Sequence, residues 1–296
     1  MNTRSAMIAI VGRPNVGKST LLNYLVGEKI AIVSNKPQTT RSRIRGIVTR
    51  ENTQFVFTDT PGFHRSRSKL GDYMVNESRN SVADVDLALL VVEPIPSVGP
   101  QELSLLEQIS SARRHEILVI NKIDTVDKDV LLSVISAYAE KADFDAVIPV
   151  SARTGDGIDD LLTECGKFAQ EGPFLFPTDE TTDQPERQVM AEIIREKLLW
   201  CLEREVPHGT AVEITRFSER DSGIIDIDAT IYCEKASHKG IIIGKSGEML
   251  KKISSMARED CEKFMGTKVY LTTWVKVKEN WRDSEFMVRN FGYSDQ

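Results

Sequence analysis

Gly12-Arg13-Pro14-Asn15-Val16-Gly17-Lys18-Ser19-Thr20 has the spacing G-x-x-x-x-G-K-S. Glycines at those two positions let the backbone curl until successive N–H groups face a phosphate, and a helix start adds its positive dipole end. Lys18 is then placed to reach β- and γ-phosphates, and the Ser19 hydroxyl to ligate Mg²⁺. A chance glycine turn is the competing reading. It leaves unexplained the Lys-Ser pair, the apolar run 7–11 before the loop and the helical pattern of Leu21, Leu22, Tyr24 and Leu25 after it.

Further downstream, polar residues stand where apolar runs end. Ser34-Asn35-Lys36-Pro37-Gln38-Thr39-Thr40-Arg41 lies between that helix and a strand near 44–49. As a bland connector it needs no explanation. After a phosphate loop it reads as a switch whose threonine completes the Mg²⁺ shell when a γ-phosphate is present, and Thr40 is chosen over Thr39. The run 54–58 ends in Asp59-Thr60-Pro61-Gly62. Asp59 suits a Walker B role, holding Mg²⁺ through water, and Gly62 can turn its N–H toward the γ-phosphate. Residues 63–71 form a second switch. The catalytic set is thus Lys18, Thr40 and Gly62, and the Mg²⁺ set Ser19, Thr40 and Asp59.

A further run, 117–120, ends in Asn121-Lys122-Ile123-Asp124. The Asp124 carboxylate can accept from guanine N1–H and the 2-amino group together. Adenine offers neither donor there, so the polar mismatch discriminates strongly. Asn121 and Lys122 stack on the base and brace the loops. The last strand, 146–150, leads into Ser151-Ala152-Arg153, whose backbone can cap guanine O6.

Strands alternate with helices over residues 6–170. That order implies an α/β fold with a doubly wound, mostly parallel sheet and its ligand at the strand C-terminal edge. The motif array resembles the Ras-like GTPase superfamily, over about the first 170 residues.

Gly172-Pro173 breaks the chain, and the polar stretch 177–185 lacks an apolar period, as an ordered-to-flexible linker would. Helical periodicity resumes at Val189, Ile193, Ile194, Leu198 and Leu199. Two alternating strand patterns follow at 211–217 and 224–231. Then comes Gly244-Lys245-Ser246-Gly247 between two helical segments, and a strand near 269–277. A bare G-x-x-G is by default a helix-to-helix turn. Its context, helix, two strands, helix, G-x-x-G, helix, strand, resembles an α+β type II KH domain, which clamps about four single-stranded nucleotides along this loop. Lys235, Lys239, Lys245, Lys251 and Lys252 concentrate positive charge in a chain of net charge -6. The RNA-contacting set is Lys239, Gly244, Lys245, Ser246, Gly247 and Lys251. In the tail, a short helix packs Trp281, Phe286, Phe291 and Tyr293 on this domain, with base stacking by Trp281 or Arg289 as a secondary role. The domains expected are 1–172 for the GTPase, 173–186 for the linker and 187–296 for the KH domain and its tail.

Composition sets outer limits. The net charge rules out a wholly basic nucleic-acid binder, so contact with RNA must be local. The cysteines, Cys165, Cys201, Cys233 and Cys261, form no C-x-x-C pair and share no ligand spacing with the histidines, which points to reduced thiols and no zinc site. No apolar run approaches a membrane span, and no presequence precedes Met7.

With Gln38-Thr39-Thr40-Arg41, Asp59-Thr60-Pro61-Gly62 and the closing Trp274-Val275-Lys276-Val277-Lys278, the chain resembles the Era family of bacterial GTPases across essentially its full length. The resemblance implies slow, Mg²⁺-dependent GTP hydrolysis, binding to the 3′ end of 16S ribosomal RNA and assistance in 30S subunit assembly by a cytoplasmic monomer. It also implies peripheral membrane association, for which the sequence shows no exposed amphipathic basic helix. In similar GTPases an asparagine in the phosphate loop uses a K⁺ ion near the phosphates, and Asn15 stands at that position; bracing the loop is its alternative role. Where Ras-like enzymes place a water-orienting glutamine this chain has Phe63, so hydrolysis must rely on the metal, backbone dipoles and other groups. The competing class is a signalling GTPase whose C-terminal domain binds a protein; an RNA-modifying GTPase lacks any visible second catalytic constellation.

Overall fold

The computed structural model describes residues 2–62 and 68–293. Phe63 and the first part of the expected second switch lie outside the described residues. The chain divides into two compact units. The first comprises residues 1–31, 40–65 and 74–183; the second comprises 32–39, 66–73 and 184–296.

The first unit contains β1 (Arg4–Val11), α1 (Lys18–Val26), β2 (Ile44–Arg50), β3 (Thr53–Asp59), β4 (Leu87–Val92), α3 (Pro100–Ala112), β5 (His115–Ile120), α4 (Lys128–Ala139), β6 (Ala146–Pro149), α5 (Ile158–Gly166) and β7 (Gln170–Glu171). α2 (Lys69–Asn80) precedes β4 and spans the division between the units. The sheet runs β2-β3-β1-β4-β5-β6, parallel apart from β2, with β7 added antiparallel to β1. β1 is therefore flanked by β3 on one side and β4 on the other. The phosphate loop leaves the sheet where the strand order reverses, the usual place for a ligand in an open α/β sheet.

Burial explains the strand sequences. Every residue of β4 is buried, as befits a strand covered on both faces. One face packs Ala9, Val11, Leu90 and Leu118 against Leu105 and Ile109 of α3 and Val134 and Tyr138 of α4. At about 25 cal/mol per Å² this apolar burial dominates the stability of the unit. The polar stretch before the second unit is tied down more firmly than its composition suggests. Thr181 C=O accepts from Ile47 N–H at 2.9 Å, Thr182 Oγ1 donates to Arg45 C=O at 2.7 Å, and Arg45 pairs with Asp183 at 2.7 Å. The chain here uses backbone groups along β2, a device that leaves no apolar period to read.

The second unit contains α6 (Glu186–Cys201), β8 (Ala211–Glu219), β9 (Ile225–Cys233), α7 (Ala236–Ile243), α8 (Glu248–Met265), β10 (Val269–Val277) and α9 (Glu285–Asn290). Its sheet runs β10-β9-β8, with β9 parallel to β10 and antiparallel to β8. Helices α6, α7 and α8 bury Ile193, Ile194, Leu198, Ile242, Ile253 and Ala257 against Ile227, Ala229 and Ile231 of β9. Two expectations for the tail need correction. Trp281 is wholly buried, its indole N–H donating to Gly209 C=O at 2.9 Å and its ring edge-on to Phe291, so it cannot stack on bases. Phe286 does not pack inward; it is 70% exposed.

Candidate functional site

The nucleotide motifs converge at one end of the first sheet. Gly17 precedes α1 at φ 100, a left-handed conformation that favours glycine, and the helix begins at Lys18. Lys18 Nζ donates to Gly12 C=O and Arg13 C=O, each at 3.1 Å, and so spans the loop from within. Val16 is buried behind the loop, and Thr20 lies in the first turn of α1. Gly62 lies against the loop as well: a Cβ there would meet Pro14 Cγ at 2.9 Å.

Ser19, Thr40 and Asp59 come together although they stand far apart in sequence. Ser19 Oγ donates to Asp59 Oδ2 at 2.5 Å and lies 3.0 Å from Thr40 Oγ1, which is 3.5 Å from the same carboxylate oxygen. Asp59 Oδ1 is buried with no hydrogen-bond partner among the described residues. Burial pushes the Asp59 carboxyl above the ordinary carboxylate range, against the pull of Lys18 and the Ser19 hydroxyl. Burial likewise holds the Lys18 ammonium below its usual range, with Asp59 opposing. Two hydroxyls and a buried carboxylate with a spare oxygen form a hard, all-oxygen donor set, which fits Mg²⁺. When bound, such an ion neutralises charge on phosphate oxygens.

At the other end of the site Asn121 braces two loops. Its Nδ2 donates to Val16 C=O at 2.8 Å and its Oδ1 accepts from Ala152 N–H at 3.0 Å. Lys122 Nζ donates to Asn15 C=O at 2.7 Å and to Glu93 at 2.5 Å. Asp124 accepts from Ser151 Oγ at 2.6 Å and pairs with Arg153 at 2.5 Å. The Ser151 hydrogen bond, followed by the charge of Arg153, holds the Asp124 carboxyl below its usual range. It is therefore a firm anion at neutral pH, able to accept two N–H groups on one edge of a base. Sequence reasoning missed three supporting residues. Arg13 pairs with Glu102 of α3 and lies 3.8 Å from Glu93, so Glu93 and Glu102 hold the loop from outside. Arg13 occupies a free position of the motif, which gave no signal.

In the second unit, Gly244 (φ 73) and Gly247 (φ 82) frame Lys245 and Ser246 between α7 and α8. A Cβ on Gly244 would meet Met249 Cβ at 2.7 Å, so the turn admits glycine alone. Lys235, Lys239, Lys245, Lys251 and Lys252 are all exposed, and none pairs with a carboxylate among the described residues. Uncompensated lysines beside a close backbone turn suit a phosphate chain.

Comparison with known proteins follows the same division. A family described as 50S ribosome-binding GTPase matches residues 7–122, and a KH domain family matches residues 205–282. The GTPase Era of Ruminiclostridium cellulolyticum is 50% identical over 99% of this chain and 98% of its own length. That of Alkaliphilus metalliredigens is 48% identical over 99% and 100%. Among solved structures, an Aquifex aeolicus Era variant bound to GDP·AlF4⁻ matches with TM-score 0.95 and 36% identity, covering 99% of this chain and 100% of the other. An Era in complex with MgGDPNP and nucleotides 1506–1542 of 16S ribosomal RNA matches with TM-score 0.94 and 37% identity, over 99% and 100%.

Proposed function

The chain belongs to the Era family of GTPases, and on that premise we propose that it binds the 3′ end of 16S ribosomal RNA and assists assembly of the 30S subunit. It is a GTP-binding and GTP-hydrolysing protein. Residues 1–172 carry the GTPase, 173–186 join the domains and 187–296 bind RNA. The observation that carries the RNA assignment is the five exposed, uncompensated lysines around the Gly244–Gly247 turn, in a chain that aligns end to end with an RNA-bound Era.

In this reading Gly12, Asn15, Val16, Gly17, Lys18, Ser19 and Thr20 cradle the phosphates. Ser19, Thr40 and Asp59 hold Mg²⁺. Asp124 reads guanine, Asn121 and Lys122 brace its loop, and the backbone of Ser151 and Ala152 caps O6. Lys18, Thr40 and Gly62 meet the charge that develops on the γ-phosphate, where preorganised donors are worth most. Lys239, Lys245 and Lys251 follow the RNA backbone, with Gly244, Ser246 and Gly247 allowing its close approach. Asn15 adds a K⁺ ligand. Its left-handed backbone, φ 67, is one that asparagine adopts more readily than most residues, so the K⁺ reading stands on the residue type and its place in the loop. At matched ionic strength, hydrolysis should be slower in Na⁺ than in K⁺, and Asn15→Ala should blunt the difference; equal rates in the parent would remove the K⁺ site.

Family resemblance alone supports a cytoplasmic monomer with peripheral membrane association. No helix among the described residues is long and apolar enough to cross a membrane. Cross-linking in cells followed by RNA sequencing tests the main proposal. Enrichment at the 3′ end of 16S ribosomal RNA is expected. Recovery of a protein partner without that RNA would move the signalling reading to first place.

A further inference from the structure

The phosphate loop and the base-reading loop of the first unit are joined by charge. Arg13 belongs to the one and Lys122 to the other. Their cations flank a single carboxylate, that of Glu93, which directly follows β4. Lys122 Nζ donates to Glu93 Oε1 at 2.5 Å, and Arg13 Nη2 lies 3.8 Å from Glu93 Oε2. Each cation has a second anchor. Arg13 Nε pairs with Glu102, a buried residue in the first turn of α3, packed so closely that a Cβ on Gly99 would meet its Oε2 at 2.8 Å. Lys122 Nζ also donates to Asn15 C=O at 2.7 Å. All these residues belong to the first unit.

Two cations anchored on either side of one carboxylate repel each other once that carboxylate is neutralised. We propose that Glu93 is a positioning residue for nucleotide binding: as the shared counter-ion of Arg13 and Lys122 it draws the phosphate loop and the base-reading loop together, at the spacing a guanine nucleotide needs. This rests on the reading of residues 12–20 and 121–124 as the nucleotide site. Glu102 has a different part. Its carboxylate is buried, so it fixes Arg13 to α3 and would be left uncompensated without it. Glu93 is only partly covered, like the cations it joins: the side chains of Glu93, Arg13 and Lys122 are 29%, 34% and 36% exposed. Dissolved ions therefore reach this contact, and its strength must fall as salt rises. A residue that acted by packing alone would show no such dependence.

Glu93→Gln tests this, because it removes the charge and keeps the shape, with an amide oxygen still able to accept from Lys122. Affinity is measured with fluorescent GDP and with a fluorescent non-hydrolysable GTP analogue, in KCl from about 0.1 to 1 M, over which the screening length falls from about 10 to 3 Å. At low salt the variant should bind both nucleotides about tenfold more weakly than the parent, since a charged contact is lost and a repulsion gained. At high salt the two proteins should agree within about twofold. Glu93→Asp keeps the charge and should restore most of the affinity at low salt. No loss in Glu93→Gln, a loss of the same size at both salt concentrations, or an equal loss in Glu93→Asp would overturn the inference. Asp124→Asn serves as the control under the same conditions. If it leaves both affinities unchanged, the base-loop assignment itself fails; if it weakens both while Glu93→Gln does not, only the role of Glu93 fails.

Discussion

The side-chain amide of Asn121 fills the space that a Cβ on Gly17 would need, at a separation well under 3.0 Å. The amide has no freedom to move away. It is held by Val16 C=O on one side and Ala152 N–H on the other. Gly17 therefore connects the phosphate loop to the base-reading loop through its missing side chain, and its φ of 100 independently excludes an L residue.

Gly17→Ala should consequently disturb both loops at once. Strain of about 1–3 kcal/mol is expected there, read as roughly 10- to 100-fold weaker GTP binding with the sheet intact. Calorimetric titration with GTP checks the loss, and circular dichroism checks the fold. Parent-like affinity would mean that the loop relaxes freely and that Asn121 is no brace.

Asp124→Asn should transfer specificity to another base. The Ser151 hydroxyl can still donate to the remaining carbonyl oxygen, so the loop should keep its shape. The new amide donates where the carboxylate accepted, which disfavours guanine N1–H and its 2-amino group and favours a 2-oxo purine. GTP affinity should fall at least 100-fold, with a gain for xanthosine triphosphate. Because the native carboxyl is held below its usual range, parental GTP preference should stay constant from about pH 5 to 8. Competition titrations with both nucleotides at several pH values measure this.

The sequence disclosed the nucleotide site because phosphate and base chemistry restrict residue type at fixed spacings, and the phosphate loop, Asp59 and the Asn121–Asp124 motif each close a buried strand. It disclosed the second fold through alternation in β8 and β9 and the paired glycines before α8. Much of α6 was not legible. Val189, Ile193, Ile194 and Leu198 mark one face, whereas nothing in the sequence marks Glu192, Arg195 and Glu196, which are buried as well. Glu192 pairs with Arg195, while Arg195 and Glu196 also reach backbone atoms at Thr39 and Val33, and a backbone carbonyl or N–H carries no sequence signature. The same reason hid the pairing of residues 181–183 along β2.

Glu116 offers a pH test remote from the nucleotide. It is buried at the start of β5, and burial, reinforced by the nearby Asp145 charge, raises its pKa to about 7. A carboxyl whose folded pKa exceeds its unfolded value leaves stability intact below the unfolded pKa and erodes it as pH rises to the folded one. The window here is about pH 4.5 to 7. Glu116→Gln has no titration, so its stability relative to the parent should rise through that window and level off above it. The rise should be about 2 kcal/mol after allowance for solvent screening. Urea denaturation at pH 4.5, 6 and 8 reads the difference; a pH-independent gap would show that Glu116 ionises normally.

The Gly244–Gly247 turn decides between an RNA-binding and a protein-binding second unit. Lys245→Asp with Ser246→Asp places two carboxylates at the exposed tip of the turn, where an RNA backbone should run. Like-charge repulsion then replaces attraction, and RNA binding should collapse. Both side chains are exposed, so the core around Ile242 and Ile253 should be untouched, and intrinsic GTP hydrolysis by the first unit should persist. Neutralising Lys245 alone gives a graded version: loss of one phosphate contact on a single strand should lower the log–log salt slope by roughly 0.7. The probe is a single-stranded RNA matching the 3′ end of 16S ribosomal RNA, titrated at several salt concentrations against parent and variants. Undiminished binding by the double variant would reduce the turn to a helix connector, and a protein partner would become the better reading of these lysines.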